Sequence, residues 1–324
     1  MLARIAQELF WLGRDLTRAE HTARILDGAF HADVAGVPGE RGITLSWEGV
    51  LATIGAKPPA PGEEESAMPA ISLGRTEVAR LLTLDTDSPA SVVSCVARAR
   101  ERGRTMRDVI STEMWEALNS FYLLLGRYDL QAALQTGPYS FYHEVKERCA
   151  LFWGLLDRTL LRDEGRAFLE AGGRIEEADM VLRMLRVAIP SSLEEDPSAH
   201  ETEALALLHA IGGFQAYRRA VRHAPTAAPV VRFLLYDSAY PGSVASSVDE
   251  LAAALTAADA QPRSSAPVLR LGRLSADLEL QRRAPEAGGA LEQVLERVQD
   301  ELEQVDRDID ARYFAIAALS AVHL

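Results

Sequence analysis

Two acid–arginine pairs raise the question of chemistry first. Glu20 stands four residues before Arg24, and Asp179 stands four residues before Arg183. At helical spacing each is an i, i+4 ion pair, worth about 0.3–0.5 kcal/mol if it stands alone in solvent. Both border an apolar stripe, and the second follows the first by 159 residues. If the two helices face each other, the acids and arginines gather into one buried polar network that could buckle the fold or hold a ligand. A third candidate is Glu113. It falls in register with Val92, Val96, Ala99, Gly103, Met106 and Ile110, an otherwise apolar or small stripe. A carboxylate on such a face is expected to be buried and bonded to an arginine, Arg18 or Arg183. Just beyond it, Glu116 and Asn119 are spaced i, i+3, and Trp115 and Asn119 i, i+4, a compact polar group beside an aromatic. Glu113 and Glu116 are therefore the candidate catalytic carboxylates. A buried glutamate can act as a base while arginines hold a carboxylate or phosphate.

Other devices are missing. None of the 7 histidines follows a glutamate by three residues, so the Glu-x-x-His pairs of di-iron bundles are absent. There is no His-Glu-x-x-His, Cys-x-x-Cys, EF-hand loop, glycine-rich phosphate cradle or Gly-x-Ser-x-Gly elbow. No metal and no cofactor are expected. The net charge of −13 and pI near 5.1 argue against nucleic acid and against an anionic membrane surface. The 2 cysteines, Cys95 and Cys149, sit among apolar neighbours and read as buried thiols. No apolar run is long enough to span a bilayer, and no signal peptide is read, so a cytoplasmic location is expected.

The elements that must carry these residues are helices. Hydrophobic residues make up 48% and aromatics only 6%, and no period-two run of β-branched residues is found. Residues 9–26 carry a stripe that continues Ile5 through Leu9, Leu12, Leu16, Ala19, Ala23 and Leu26. Residues 168–185 repeat the pattern: Gly13 matches Gly172, Leu16 matches Ile175, and Ala19 matches Ala178. A second echo matches Leu82, Asp85, Pro89, Ser91 and Val92 with Leu234, Asp237, Pro241, Ser243 and Val244 at an offset of 152. The repeat unit is too long for a solenoid and suits a duplicated helical half. The spacing predicts short helices over 44–54, capped by Ser46, and over 76–84. A long helix is predicted over 90–125, entered through Pro89 with Ser88 or Asp87 as its cap. Others are predicted over 141–161, 199–220 and 290–322. The expected architecture is an all-α helical bundle of two pseudo-repeats, residues 1–135 and 136–324, packed into one body.

The stretches LFWLGRDLTRAEHTARIL, STEMWEALN and LLRDEGRAFLEAGGRIEEADMVLRML, with FLLYDSAYPGSV behind them, resemble the alpha-E family of bacterial all-α-helical domains. STEMWEALN and the LRDEG junction are the most specific parts. The family's namesake Glu-Arg falls on Thr17-Arg18 in the first copy and on Glu176-Glu177 in the second, so each copy keeps half of it. The arginine after the motif glycine is Arg14 in the first copy and Gly173 in the second. The resemblance implies an association with a circularly permuted ATP-grasp ligase, often with a transglutaminase-like peptidase, in making or modifying peptide-like amide bonds. It adds Arg14, Arg18, Glu176, Arg162 and Asp163 to the candidate binding residues Glu20, Arg24, Glu113, Trp115, Glu116, Asn119, Asp179 and Arg183. Three functions then compete. The chain is an accessory partner holding the ligase or its peptide-like substrate, an enzyme acting through a Glu/Arg/Asn pocket, or a helical scaffold whose polar core is only structural.

Overall fold

A computed structural model describes residues 1–34, 47–55, 74–129, 132–133, 138–188, 201–284 and 291–315. Every regular element among them is helical. In chain order they are α1 (Ala3–Val34), α2 (Trp47–Ile54), α3 (Arg75–Thr83), α4 (Val92–Thr105), α5 (Thr112–Leu125), α6 (Tyr139–Thr159), α7 (Glu164–Ala188), α8 (Glu201–Ile211), α9 (Phe214–Ala220), α10 (Ala227–Tyr236), α11 (Val244–Ala258), α12 (Ala266–Arg283) and α13 (Leu291–Ile309). The all-α expectation holds, and no helix of the described residues is long and apolar enough to cross a membrane.

The centre is the crossing of α1 with α7, the most extensive helix–helix contact. The stripe from Leu9 to Leu26 is fully buried in it. Two glycines let the backbones touch. A Cβ on Gly13 would lie 2.2 Å from the Leu169 carbonyl oxygen, and one on Gly172 would lie 1.8 Å from that of Phe10. The contact is reciprocal, because Phe10 and Leu169 are separated by the same 159 residues as the two glycines.

Each central helix is flanked by the helix that its Pro-x-Ser-Val element starts, α4 on α1 and α11 on α7. The motif's chemistry is that of an N-cap. Ser91 Oγ accepts from the Ser94 amide at 3.1 Å, and Ser243 Oγ accepts from the Ser246 amide at 3.0 Å. Upstream, Asp85 and Asp237 each turn the chain by accepting from the amide two residues on, Asp87 at 2.9 Å and Ala239 at 3.0 Å. Ser91 is thus the cap, rather than Ser88 or Asp87, and Pro89 lies in the turn before it.

The long helix predicted over 90–125 is two helices. Met106 closes α4, a tight turn follows, and Ser111 caps α5 by accepting from the Met114 amide at 3.2 Å. Periodicity carried the reading through the break because Met106 and Ile110 are indeed buried. The turn resets the phase, so that Met114, Leu118, Phe121 and Leu125 face inward and Glu113 lies on the exposed first turn of α5. The predicted helix over 199–220 also breaks, at Gly212, whose φ of 77° is open to glycine at little cost. Ser46 and residues 316–322 lie outside the described residues.

The crossing generates a stability test. Gly172→Ala must force the helices apart and is expected to cost about 3 kcal/mol in urea unfolding. Gly272→Ala, on an exposed part of α12 with nothing near its Cβ, is expected to gain about 1 kcal/mol from helix propensity.

Candidate functional site

The polar network at the crossing has Glu176 at its centre. Its carboxylate is completely buried and lies between two arginines of the opposite helix. Arg18 Nε donates to Oε1 at 2.5 Å and Nη2 to Oε2 at 3.0 Å, while Arg14 Nε donates to Oε2 at 3.0 Å. Arg14 Nη1 also donates to both oxygens of Asp306 on α13, at 2.8 and 2.9 Å, and its guanidinium stands 4.7 Å from the Trp11 ring centre. Burial pushes the Glu176 carboxyl up, but the two guanidiniums outweigh it and hold it below the ordinary carboxylate range. The split motif is therefore rejoined in space, with Arg18 from one helix and Glu176 from the other.

The acid–arginine pairs of equal spacing are not members of this network. Glu20 and Arg24 pair with each other at 2.7 Å, and Asp179 and Arg183 at 2.8 Å. Each arginine instead stands over a helix end. A Cβ on Gly212, after α8, would lie 2.8 Å from Arg24 Nη1. One on Gly55, after α2, would lie 3.2 Å from Arg183 Nη1. Both glycines have positive φ, and a guanidinium near a helix C-terminus meets the negative end of the helix dipole. Asp179 also accepts from Gln299 Nε2 at 3.3 Å.

The Glu113 expectation is corrected. Glu113 is exposed and bonds to neither Arg18 nor Arg183, because the turn at 106–111 rotates it out of the stripe. Glu116 is exposed as well. Asn119 Oδ1 accepts from Arg100 Nε at 2.9 Å, and the half-buried Trp115 carries Arg107 at 4.1 Å from its ring centre. This group forms a cation–π patch where α4 meets α5, away from the crossing. Asp163 caps α7 by accepting from the Arg166 amide at 3.1 Å, and Arg162 is exposed beside it.

A cleft of about 700 Å³ lies on the other side of the crossing. Its floor is Thr17, Gly173 and Glu177, with the Trp153 ring packed on Gly173, 2.7 Å from where a Cβ would lie; His21, Glu20 and Arg24 line it along α1, and Tyr240 and Gly212 complete the lining. Arg166, Glu170, Arg174 and Glu250 continue into a second groove of about 350 Å³ that reaches Arg162 and Asp163. The floor residues are the counterparts, at the 159 offset, of Glu176, Arg14 and Arg18. On this side threonine stands for the glutamate, glycine for one arginine, and glutamate for the other. His21 is 5% exposed and its Nδ1 has no hydrogen-bond partner among the described residues. Burial holds its imidazole down at about 4, so it is neutral near pH 7. Burial pushes the Glu177 carboxyl up to about 6 against the pull of Arg174, its ion-pair partner. Sequence reasoning missed Glu177, His21 and Trp153. The mismatches at 14/173 and 17/176 were the available signal, since they mark where the two sides of the crossing must differ.

Two outcomes follow. Glu176→Ala leaves two guanidiniums facing an empty pocket and is expected to cost about 3–5 kcal/mol, whereas Glu113→Ala should stay within about 0.5 kcal/mol of wild type, both read from urea unfolding. The second concerns pH. Between about 6.5 and about 4 the unfolded chain protonates His21 while the folded chain does not, so stability falls as pH drops through that window. His21→Met, which copies the counterpart Met180, should remove about 3 kcal/mol of that fall when unfolding free energies are compared across the window.

An uncharacterized protein of Mycobacterium bovis (strain ATCC BAA-935 / AF2122/97) is 24% identical over 278 residues, which is 82% of this chain and 31% of that protein. Uncharacterized proteins of Mycobacterium tuberculosis strains CDC 1551 and H37Rv match with the same identity and coverage. The chain thus corresponds to about a third of the length of these curated relatives. No solved structure matches it. The family model described as a predicted alpha-helical domain with a conserved ER motif matches residues 1–314, and the chain belongs to this Alpha-E family.

Proposed function

We propose that this protein is an accessory partner of an ATP-grasp peptide or amide ligase, and that its cleft holds the ligase's peptide-like substrate. The observation that carries this reading is the cleft itself. About 700 Å³ of space at the helix crossing is the size of a site for a ligand of several peptide units. The family membership and the length of the relatives support the partnership, since in those proteins the matched part is 31% of a longer chain. Two pseudo-repeats, residues 1–135 and 136–324, belong to the proposal. The reciprocal glycine contacts and the paired N-caps support that division. A cytoplasmic setting without nucleic-acid or membrane binding belongs to the proposal as well, in keeping with the net charge of −13.

A second reading has its own support. A carboxyl at about 6 and a neutral histidine lining one cleft are groups of the kind that general acid–base catalysis uses. In that case the catalytic groups are Glu177 and His21 rather than Glu113 and Glu116, which are exposed on α5 and do not line this cleft.

The test is co-expression with an ATP-grasp protein encoded beside this chain, with ATP turnover measured for each alone and for the two together. The expected result is a stable complex, no ATP turnover by this chain alone, and an altered rate for the ligase. Turnover of ATP or of a peptide by the isolated chain, lost in Glu177→Gln, would establish the enzyme instead. An unchanged ligase and no complex would leave a structural scaffold.

A further inference from the structure

The two sides of the α1–α7 crossing differ in one informative way. On the filled side, two guanidiniums and two carboxylates, Arg14, Arg18, Glu176 and Asp306, consume one another. On the open side the counterpart of Arg14 is Gly173 and that of Glu176 is Thr17, so two long charged side chains are gone; the Trp153 ring packs on Gly173, 2.7 Å from where a Cβ would lie, and the cleft opens beside it. The counterpart of the cation Arg18 is the anion Glu177. The open side therefore lacks both cations that flank Glu176 on the filled side.

The walls do not restore them. Arg24 is held by Glu20 at 2.7 Å. Arg166 is held by Asp157 at 2.6 Å and by Glu170 at 2.8 Å. Arg174 is held by Glu177 and, at 2.8 Å, by Glu250. Each guanidinium lining the cleft already has a carboxylate, and the acids Glu20, Asp157, Glu170, Glu177 and Glu250 outnumber the arginines. An entering anion would meet only arginines already paired, whereas an entering cation would meet surplus carboxylate. The aromatic rings of Trp153 and Tyr240 line the cleft as well. His21 adds a polar group in the wall, buried and with a ring nitrogen whose bonding capacity the described residues leave unused. The carboxylates are not gathered as metal ligands are. Among the described residues no group of three or more His, Cys, Asp or Glu side chains could hold a metal ion.

We propose that the cleft binds the ammonium group of a peptide-like amine, seated against Glu177 beside the Trp153 ring that packs on Gly173. This rests on the reading of the cleft as a ligand site but not on the ligase partnership. Glu177 and Glu250 supply the countercharge, and the volume beyond them admits the uncharged remainder of a short peptide.

The test uses the whole chain without any partner, so its failure is distinct from failure to bind a ligase. Alanyl-alanyl-alanine amide carries one ammonium and no carboxylate, and its N-acetyl derivative carries neither. Titration calorimetry at neutral pH should show saturable binding of the first and binding weaker by about tenfold or more for the second, the equivalent of about 1.4 kcal/mol. Glu177→Gln should weaken the amine probe by a similar factor while the melting temperature holds. Glu250→Gln, at a more exposed wall position, gives a second reading should Glu177→Gln fail to fold, and should weaken the probe by about threefold. Equal binding of the acetylated probe, preference for N-acetyl-alanyl-alanyl-alanine with its free carboxylate, or no saturable binding of the amine up to its solubility would overturn the proposal. Displacement of the probe by potassium or magnesium at equal concentration would overturn it too, in favour of an inorganic cation site.

Discussion

The structure depends on two helix backbones in direct contact. At most helix crossings side chains keep axes about 8–10 Å apart. Here Gly13 and Gly172 remove the side chains at the crossing point, and a carbonyl of each helix fills the place where the other's Cβ would be. That closeness fixes what can lie on either side. Residues next to the glycines and one turn on, at 14, 17 and 18 on α1 and at 173, 176 and 177 on α7, are thrust against each other. They must then either interlock or leave a gap. Glu176 with Arg14 and Arg18 is the interlocked case, and the cleft is the gap.

How much of this the sequence discloses depends on what is compared. Identical residues at a constant offset exposed the two central glycines and the Pro-x-Ser-Val element, because backbone approach and capping tolerate few substitutes, although the cap itself is Ser91 rather than the expected Ser88 or Asp87; helical periodicity and composition exposed the all-helical class. Electrostatic complementarity leaves no such trace. Asp15 on α1 bonds Arg98 on α4 at 2.7 Å, and Arg174 on α7 bonds Glu250 on α11 at 2.8 Å. Position 174 follows 15 by 159 residues and position 250 follows 98 by 152, so the same inter-helix bridge occurs twice with its charges exchanged. Coulomb attraction is indifferent to which partner carries which sign. A search for repeated letters passes over such a pair, and a search for complementary signs at two fixed offsets would have found it.

Glu113 failed for a different reason. Its apparent place on a core stripe assumed one phase over residues 90–125, and no glycine or proline marks the turn at 106–111. The only local sign was Ser111, three residues before an amide that needed an acceptor. Asp306 was illegible for a third reason. It belongs to α13, outside the repeated elements, and only the packing of α13 on α7 brings it to Arg14.

The asymmetry of the crossing also separates what the fold needs from what a site needs. A buried carboxylate between two guanidiniums is costly to assemble and costlier to disrupt, because removing one member strands the others away from water. Its geometry holds only if α1 and α7 cross at one register, so the filled side specifies the crossing together with the glycines. With register secured there, the facing side is freed from specifying it. Thr17 and Gly173 sit on the same close-packed backbones as Glu176 and Arg14 but contribute little bulk. The walls of the cleft are thereby rigid although its contents are sparse. Rigid walls lower the ordering cost of binding, and half-buried charges such as Glu177 hold desolvation free energy that a ligand of opposite sign can recover. A symmetric pair of interlocked networks would be a stronger buckle and would have no site. The substitutions at 17 and 173 exchange part of that buckle for a cavity with a charge preference of its own.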